Sequence, residues 1–467
     1  MTGHGDGGGP AWPGAGTSGS ATTEPAGELV TVSPGALRGR VRVPGDKSVS
    51  HRALLLAALS EGRSRISGLS DGDDVRRTAL AVVACGARID AGEVGPPGDG
   101  DRPTGRVALP GLSVEVTGGR DGLSEPVQPL DVGNSGTGIR LLAGWLAAFP
   151  WLAVLHGDRY LAARPMDRVI EPLRRMGARL DARGDGRFPP LVVRGGALRG
   201  IDYPLPVPSA QVKAAVLLAG LAGDGPTTVR EPAPLRAHTE ELLGRFGASV
   251  TTEGDGAVVT VRPGALRPTD LVVPGDPSHA AFWIVAGCVV PGSDVTVEGV
   301  YVGRARAGFI DVLRRMGAAV EVTMVDDTTA DVRACHAPLS ATRVAGAEVA
   351  GLIDEIPVLA VAAAFARGVT TFADAAELRV KETDRVATTA ALLRGFGVDV
   401  EARPDGLVVS GGRPLRGGPV TSAGDHRIAM AGAVAALGAT GPSTVRGWEA
   451  VATSYPGFLA DLAALQA

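Results

Sequence analysis

Residues 35–48, "GALRGRVRVPGDKS", contain the pattern from which the fold can be predicted. Two later stretches begin almost alike: "GALRGIDYPLPVPSAQVK" at 196–213 and "GALRPTDLVVPGDPSHAA" at 264–281. Each reads as an extended run, then a turn of Pro, Gly, Asp or Ser residues, then a helix rich in Ala, Leu and Val. The chain therefore repeats one unit that starts with a strand and a turn and continues as an apolar helix.

The second half of this pattern recurs in "DVGNSGTGIRLLAGWLAAF" at 131–149, "GLIDEIPVLAVAAAFARG" at 351–368 and "SAGDHRIAMAGAVAALG" at 422–438. A second phrase lies between the turns, as in "LRRMGARL", and its glycine follows an apparent helix and precedes an apparent strand. The glycines expected to form left-handed C-caps are Gly86, Gly177, Gly247, Gly317 and Gly397. The sequence thus predicts six copies of one α/β unit, five with the second phrase and a last one that ends early.

Composition limits the classes of function. A chain of 467 residues is too long for one ordinary core and predicts two or more domains. A net charge of −4 and only 4% aromatic residues argue against nucleic acid, base stacking and anionic membranes as partners. The three cysteines are far apart, and the longest apolar runs are about half of the roughly 20 residues that span a bilayer. We therefore expect a soluble, cytoplasmic protein.

Residues 1–28 are rich in Gly, Pro, Ser and Thr and contain no basic residue. They lack the charged start and apolar middle of a secretory signal, and the arginines of a transit peptide. We expect a disordered tail.

The turns are the expected site of chemistry. A single Gly-rich turn usually does no more than connect two elements of secondary structure. Helix N-termini, however, carry unpaired N–H groups and a partial positive charge, so several that converge form an anion site. No histidines are spaced four apart, and no nicotinamide or flavin fingerprint is present, so we expect neither a metal nor a cofactor.

Lysine is rare, since only Lys47, Lys213 and Lys381 occur among 46 basic residues. In "GDKSVSHR" a lysine stands at a predicted helix start, which suggests a role that arginine cannot fill. A nucleotide-binding P-loop is excluded, because it requires glycine immediately before the lysine and Asp46 stands there instead. A capped, solvated helix start is the structural alternative.

The stretch "RVKETDR", 379–385, contains five charged residues among seven. An exposed, salt-bridged helix face is the structural alternative. Lys381 and Arg385 are four residues apart and would share a helix face, where an anion between them relieves repulsion. Glu382 next to them is suited to transfer a proton.

Taken together, "PGDKSVSHR", "GNSGTGIR", "RPM", "SAQVK", "IDEIP", "RVKETDR" and "DHRIAM" occur in this order across residues 43–430. This set closely resembles the EPSP synthase family of enolpyruvyl transferases. The resemblance implies an α/β fold of two similar domains, each built from three βαβαββ units as an inside-out α/β barrel. It further implies a domain of residues 29–45 plus 274–467, a second domain of residues 46–273, and a hinge near 45 and 273.

The resemblance also implies a reaction. The enolpyruvyl group of phosphoenolpyruvate would move to the 5-hydroxyl of shikimate 3-phosphate, with release of phosphate, through a tetrahedral intermediate. No cofactor is implied. A cytoplasmic monomer acting on small anionic substrates is implied, as is inhibition by glyphosate at the phosphoenolpyruvate site, where Gly136 would line the pocket.

The motif match assigns residues to each role. The residues implied to bind shikimate 3-phosphate are Lys47, Ser48, Arg52, Ser209, Gln211, Arg236, Asp354 and Lys381. The residues implied to bind phosphoenolpyruvate are Lys47, Asn134, Gly136, Arg164, Gln211, Arg385 and Arg427. The residues implied to be catalytic are Asp354, Glu382, Lys47 and Lys381. Glu355 competes with Asp354 as the hydroxyl base, and Lys213 has no secure role.

Two rival functions fit part of the sequence. UDP-N-acetylglucosamine enolpyruvyl transferase shares the fold but typically has a cysteine in a loop of its first domain, and the loop-like stretch 91–120 has none. A non-catalytic phosphate-binding or RNA-binding repeat scaffold would use the same helix starts without chemistry. The low aromatic content argues against the RNA-binding form.

Overall fold

Six small sheets organise the protein in a computed structural model, which describes residues 27–91 and 112–466. Five sheets have four strands and one has three. The strands, in chain order, are β1 (Leu29–Val32), β2 (Arg38–Val41), β3 (Gly62–Leu69), β4 (Arg88–Ala91), β5 (Leu112–Gly118), β6 (Leu130–Asp131), β7 (Leu152–His156), β8 (Arg179–Ala182), β9 (Phe188–Arg194), β10 (Asp202–Pro204), β11 (Thr227–Arg230), β12 (Val250–Glu253), β13 (Val258–Val261), β14 (Leu271–Val272), β15 (Asp294–Tyr301), β16 (Ala319–Met324), β17 (Thr329–Cys335), β18 (Arg343–Val344), β19 (Gly368–Phe372), β20 (Asp399–Arg403), β21 (Gly406–Gly411), β22 (Pro419–Thr421) and β23 (Ser443–Arg446).

Helices connect these strands. They are α1 (Lys47–Leu59), α2 (Asp73–Ala84), α3 (Gly136–Ala147), α4 (Asp167–Arg175), the single turn α5 (Arg183–Gly186), α6 (Ala210–Gly220), α7 (His238–Arg245), α8 (Pro277–Val289), α9 (Gly308–Arg315), α10 (Val349–Leu352), α11 (Ile356–Phe365), α12 (Arg385–Gly395), α13 (His426–Leu437) and α14 (Phe458–Gln466). Six of them, α1, α3, α6, α8, α11 and α13, are buried almost all round. These are the helices that the six turns predict, and their apolar composition on every face suits the interior.

The repeat unit is βαβαββ, as the resemblance implies. In the sheet ordered β6-β7-β9-β8, β6 pairs with β7 in parallel and β9 pairs with both β7 and β8 antiparallel. The sheets β10-β11-β13-β12 and β18-β19-β21-β20 repeat this order. The last unit ends early, as predicted, and β1 completes its sheet by pairing antiparallel with β23. The predicted α/β class and the six units are confirmed.

Two strands are exchanged between units. Strand β2 precedes α1 but pairs in parallel with β15, and β14 precedes α8 but pairs in parallel with β3. The chain segments that make these exchanges lie side by side. The Asp46 amide donates to the Pro274 carbonyl over 2.7 Å, and the Asp276 amide donates to the Pro44 carbonyl over 2.9 Å.

The protein has two hydrophobic cores, one formed between residues 49 and 273 and the other by residues 32–43 together with 280–465. In the first core α3 packs on α1 and α6, and in the second α8, α11 and α13 pack on one another. Gly144 lies where α3 meets α6, and a methyl group there would overlap the Ala215 backbone. The buried helices therefore form the centre of each half and the sheets lie outside them.

The predicted helix-ending glycines have the expected conformation. The φ angles of Gly86, Gly177, Gly247, Gly317 and Gly397 lie between 78° and 110°. The residue after each glycine donates its N–H to a carbonyl five positions earlier, as Ala178 does to Leu173 over 3.1 Å. This is the Schellman arrangement, in which glycine avoids the steric cost of a positive φ.

The sequence-based description of residues 91–120 as a loop is wrong in part. Residues 112–118 form β5, which lies between β3 and β4 in its sheet. Val114 and Val116 are buried, so the alternation of apolar residues in "LSVEVTG" was the available strand signal. Ala91 ends β4, and residues 92–111 of that stretch lie outside the described residues, as does the predicted tail apart from its last two residues.

Candidate active site

A cavity between the two cores collects the starts of all six buried helices. The lining residues at these starts or within two positions of them are Lys47, Gly136, Ala210, Asp276, Asp354 and Arg427. Each helix directs its positive end towards the cavity. The convergence expected from the repeated turns is therefore present.

The cavity is strongly charged and carries an excess of positive charge. The nine cationic residues lining it are Lys47, Arg52, Arg140, Arg164, Arg168, Arg236, Arg306, Lys381 and Arg427. The five acidic ones are Asp74, Asp276, Asp354, Glu377 and Glu382. Since the whole chain has a net charge of −4, the positive charge is concentrated here, as an anion site requires.

Polar side chains fix where the helices begin. The Asp46 carboxylate accepts the Val49 amide over 2.9 Å at α1, and the Ser135 hydroxyl accepts the Gly138 amide over 2.9 Å at α3. Asp and Ser are strong N-cap residues because they satisfy amides that have no partner inside the helix. The Gly-Asp and Asn-Ser pairs of the sequence thereby set the positions of the residues that follow them.

Lys47 begins α1 and points into the cavity. Its Nζ lies 3.0 Å from Asp74 Oδ2, and its backbone amide donates to Asp276 over 3.2 Å. Asp74 belongs to "DGDD", a pattern that predicts only a turn and a helix start, so sequence reasoning missed it. Arg52, one turn further along α1, donates to Thr239 over 2.7 Å, and burial lowers its pKa to about 10.

Asp354 lies in a 3-10 turn, Ile353–Glu355, immediately before α11. Its Oδ1 is 3.3 Å from both Lys381 and Arg385, and its Oδ2 accepts from Arg236 over 2.8 Å. Burial would raise the pKa of this carboxyl, but Lys381, Arg427, Arg236 and Arg385 together hold that pKa well below its usual range. Asp354 is therefore an anion that cations of both domains neutralise.

Glu355, the competing carboxylate, lies elsewhere. It is 1% exposed, and its Oε1 accepts from Arg306 over 3.0 Å and from the Ser278 hydroxyl. Asp354 lines the cavity and Glu355 does not. This placement favours Asp354 for chemistry and gives Glu355 a structural partner.

Arg306 joins the two crossing segments that exchange β2 and β14 between units. It is 2% exposed and lies 3.1 Å from Asp46, 2.6 Å from Asp276 and 3.0 Å from Glu355. Asp46 and Asp276 lie on the two crossing segments, which lead from β2 into α1 and from β14 into α8. Glu355 is the residue after Asp354. No motif in the sequence distinguishes Arg306 from other arginines, because its partners are remote in the chain.

Glu382 is the second carboxylate of the predicted chemistry. Arg164 Nη2 lies 3.0 Å from one of its oxygens, and Arg385 Nη2 lies 2.5 Å from the other. Burial would raise the pKa of Glu382, but Arg385 and Arg164 hold it well below its usual range. The carboxylates of Asp354 and Glu382 thus line the same cavity, and each is paired with arginine side chains.

The predicted helix face of "RVKETDR" is wrong. Lys381 follows a 3-10 turn, Ala376–Val380, whereas α12 begins at Arg385. Asp384 caps α12 by accepting the Ala387 amide over 3.0 Å, so the helix cannot extend back to Lys381. The two cations nevertheless meet at Asp354, because the break turns both side chains towards it.

Two predicted phosphoenolpyruvate contacts do not line the cavity. Arg385 is 1% exposed and is held by Asp425 over 2.8 Å, one layer behind Glu382. Asn134 touches the site through its backbone carbonyl, 3.5 Å from Arg164 Nη1, while its buried Oδ1 has no hydrogen-bond partner in the described part of the chain.

Gln211 is held in one orientation. Its Oε1 accepts from Arg140 over 2.7 Å, and its Nε2 donates to Thr137 over 2.9 Å. Arg140 ends the motif "GNSGTGIR", yet the sequence assigns it no role. Burial lowers the pKa of Arg140 to about 10, so it remains a cation at neutral pH.

Two other kinds of feature, a cluster of metal ligands and a membrane-spanning helix, are absent from the described residues. Within residues 27–91 and 112–466, no three His, Cys, Asp or Glu side chains are grouped as metal ligands would be. In the same residues no helix has the length and apolarity needed to cross a bilayer.

Comparisons with known proteins agree on one family. The family described as EPSP synthase (3-phosphoshikimate 1-carboxyvinyltransferase) matches residues 32–98 and 107–462. A protein of Synechococcus sp. (strain WH7803) named 3-phosphoshikimate 1-carboxyvinyltransferase is 48% identical over 440 residues, which cover 92% of this chain and 97% of that protein.

Solved structures show the same fold. EPSP synthase from Acinetobacter baumannii superposes with a TM-score of 0.80 at 38% identity, covering 94% of this chain and 98% of that one. The enolpyruvyl transferase NikO from Streptomyces tendae superposes with a TM-score of 0.75 at 21% identity, again over 94% of this chain and 98% of that one. The second likeness concerns the fold alone.

Proposed function

The chain belongs to the EPSP synthase family, and we propose how the residues of its interdomain cavity carry out that family's reaction. The enzyme is a 3-phosphoshikimate 1-carboxyvinyltransferase, which moves the enolpyruvyl group of phosphoenolpyruvate to the 5-hydroxyl of shikimate 3-phosphate and releases phosphate. One observation supports the assignment of roles most directly. The carboxylates of Asp354 and Glu382 line one cavity with Lys47 and Lys381, and arginines contributed by the other core pair with both carboxylates.

Shikimate 3-phosphate occupies the side of the cavity formed by the starts of α1 and α6. The proposed contacts are Lys47, Ser48, Arg52, Ser209, Gln211, Arg236, Asp354 and Lys381. Charge-assisted hydrogen bonds from Arg52 and Arg236 suit a phosphate. The 5-hydroxyl then faces Asp354 and Lys381, whose charged groups lie 3.3 Å apart.

Phosphoenolpyruvate occupies the adjacent side, near α3 and α13. The proposed contacts are Lys47, Asn134, Gly136, Arg164, Gln211, Arg385 and Arg427. Lys47 lies between the two substrates, where a compact ammonium can bridge two anions. Arg385 lies behind Glu382. Its proposed contact with phosphoenolpyruvate therefore requires the Glu382 side chain to move aside.

The reaction needs only proton transfers from the protein. Asp354 accepts the proton of the 5-hydroxyl while that oxygen attacks C2 of phosphoenolpyruvate, and Glu382 donates a proton to C3, which becomes a methyl group. In the elimination step Glu382 takes a proton back from C3, the C2=C3 bond re-forms, and phosphate leaves with the electrons of its C2–O bond. Lys47 and Lys381 stabilise the developing charges.

Substrate binding would raise the pKa of both carboxyl groups, Asp354 and Glu382. Arg236 lies 2.8 Å from Asp354 and Arg164 lies 3.0 Å from Glu382. A phosphate on Arg236 and a carboxylate on Arg164 would withdraw or neutralise these cations, and the pKa of each carboxyl would rise. Asp354 would become a stronger base and Glu382 could hold the proton that it must donate.

The proposed domains are residues 29–45 plus 274–467, and residues 46–273, with a hinge near 45 and 273. The two separate cores and the paired crossing segments support this division. We further propose that the enzyme acts as a cytoplasmic monomer. Sedimentation of the protein at micromolar concentration tests the monomer.

Phosphate release from phosphoenolpyruvate tests the function. We expect release when shikimate 3-phosphate is the acceptor and none with UDP-N-acetylglucosamine or without an acceptor. Release with the sugar nucleotide would support the rival enolpyruvyl transferase. Binding of shikimate 3-phosphate without release would support a non-catalytic phosphate-binding scaffold.

A further inference from the structure

Lys213, the lysine to which the sequence assigns no role, is fully buried on α6 outside the cavity. Its Nζ donates to Glu231 and to Glu240, each over 2.7 Å, and to the Arg236 carbonyl over 2.8 Å. A buried ammonium is costly unless it is fully paired, and here every donor has an acceptor. Lys213 therefore holds the backbone of Arg236, a residue of the proposed substrate site.

Glu231 connects this lysine to the other domain. One carboxylate oxygen accepts from Lys213, and the second accepts from the Leu235 amide over 2.9 Å and from Arg304 over 3.1 Å. Arg304 follows β15, a strand of the other core. Its Nη1 also donates to the carbonyls of Leu235 over 3.1 Å and Gly256 over 3.2 Å.

The segment 231–237 is thus held from two sides. Lys213 holds it from within its own domain, and Arg304 holds it from across the interface. Arg236, near the end of this segment, extends its guanidinium over the cavity to within 2.8 Å of Asp354. The arrangement makes the position of Arg236 depend on how the two domains meet.

We propose that Lys213, Glu231 and Arg304 are positioning residues that hold Arg236, across the interface of the two domains, where it binds shikimate 3-phosphate, an inference that rests on the proposed role of Arg236. None of the three lines the cavity. They act through Arg236, so their loss affects binding of this substrate more than chemistry and more than binding of phosphoenolpyruvate.

Arg304→Gln is the informative variant. Its side chain is 26% exposed, and Glu231 keeps Lys213 as a partner after its removal, so the fold should survive. Lys213→Met would leave the buried carboxylate of Glu240 without its cation and that of Glu231 with Arg304 alone, and it is expected to misfold. Arg230→Gln is the matched control, because Arg230 precedes Glu231 but pairs with Asp202 of its own domain over 2.7 Å.

Steady-state kinetics and equilibrium titration with shikimate 3-phosphate are measured for each variant. Loss of a charge-assisted hydrogen bond is expected to raise the KM and Kd for shikimate 3-phosphate roughly tenfold in Arg304→Gln. The kcat and the KM for phosphoenolpyruvate should stay within about twofold, as should every constant of Arg230→Gln. Arg304→Lys should recover part of the loss. An unchanged Kd in Arg304→Gln, or equal losses for both substrates, would overturn the proposal.

Arg236→Gln separates this inference from the proposed function. If Arg236→Gln binds shikimate 3-phosphate as tightly as the wild type, the assigned role of Arg236 is wrong. If it weakens binding, adding Arg304→Gln should cause little further loss, because Arg304 acts through Arg236. Fully additive losses in the double variant would overturn the positioning role alone.

Discussion

The two crossing segments share five of six residues and differ only at the fifth: "VPGDKS" at 43–48 and "VPGDPS" at 273–278. In both, an Asp side chain caps a buried helix, and its amide binds the proline carbonyl of the other segment. Arg306 lies between the two carboxylates. The residue that follows is Lys47 in one segment, with its ammonium in the cavity, and Pro277 in the other, where proline suits the first helical position.

This comparison separates the requirements of the fold from those of the reaction. Val-Pro-Gly-Asp occurs twice because two strands are exchanged and two buried helices must begin at the same place. The lysine occurs once, at the helix start whose side chain is proposed to contact both substrates.

The largest effect is expected from Lys47→Arg. The charge is kept, but a forked guanidinium cannot take the place of a compact ammonium between two substrates. We expect kcat to fall by roughly 10³-fold, the scale of removing one positioned donor. Pro277→Ala, at the equivalent position, should keep kcat within about twofold. A Lys47→Arg enzyme with substantial turnover would show that the difference between the segments is not chemical.

Arg306→Gln changes the shared part of the comparison. It would leave the buried carboxylates of Asp46, Asp276 and Glu355 without their common cation. Breaking a buried ion pair on one side costs about 3–5 kcal/mol, and denaturant unfolding measures that loss. Arg333→Gln, which removes an exposed pair with Asp294, should lower the free energy of unfolding far less, because exposed ion pairs contribute little. Equal losses in both variants would mean that Arg306 does not hold the crossing together.

A smaller effect is expected from Gly136→Ala at the start of α3. The new methyl group would overlap Nη1 of Arg164, so the guanidinium must shift. Binding of the longer glyphosate molecule should be weakened more than binding of phosphoenolpyruvate. Overpacking of this kind corresponds to roughly a tenfold rise in the inhibition constant of glyphosate. Gly225→Ala, where a methyl group meets open space, is the control. Equal changes in the inhibition constant and in the KM for phosphoenolpyruvate would contradict this account of the pocket.

The smallest expected effect concerns pH. Arginines hold the pKa of Glu382 well below its usual range in the folded protein, whereas an unfolded chain gives a glutamate pKa of about 4.3. The stabilisation from ionised Glu382 is therefore present above about pH 4.3 and is lost as the pH falls through the folded-state pKa. The difference in the free energy of unfolding between wild type and Glu382→Gln should shrink from pH 7 to pH 3.

Denaturant unfolding at each pH measures this difference. A constant difference for Glu382→Gln across the range would mean that its pairing with Arg164 and Arg385 does not stabilise the ionised form.

Local sequence signals were sufficient to predict most of the fold. The repeated turns and the glycines after each helix predict six units, because the conformation at each depends on residues a few positions apart. Strand β5 was missed although "LSVEVTG" alternates. The exchange of β2 and β14 has no local signal, since each strand looks like the start of the unit that follows it.

The site was predictable where a motif places a side chain at a helix start, as for Lys47 and Asp354. Arg306 and Arg304 could not be found, because their partners come from both domains and lie far away in the chain. The arrangement of Lys381 and Arg385 was predicted wrongly, since one cap at Asp384 ends the helical register between them. Long-range pairing therefore marks where inference from the sequence stops.

Running the reaction in D₂O tests the central claim, that carboxylates of this cavity add a proton to carbon and then remove one. With shikimate 3-phosphate and phosphoenolpyruvate, the account predicts that NMR of the product shows deuterium in its vinyl group, because the transient methyl group carries one solvent-derived hydrogen. Glu382→Gln should form product at a rate lower by roughly 10²- to 10⁴-fold. Product that forms at the normal rate without vinyl deuterium would contradict the account.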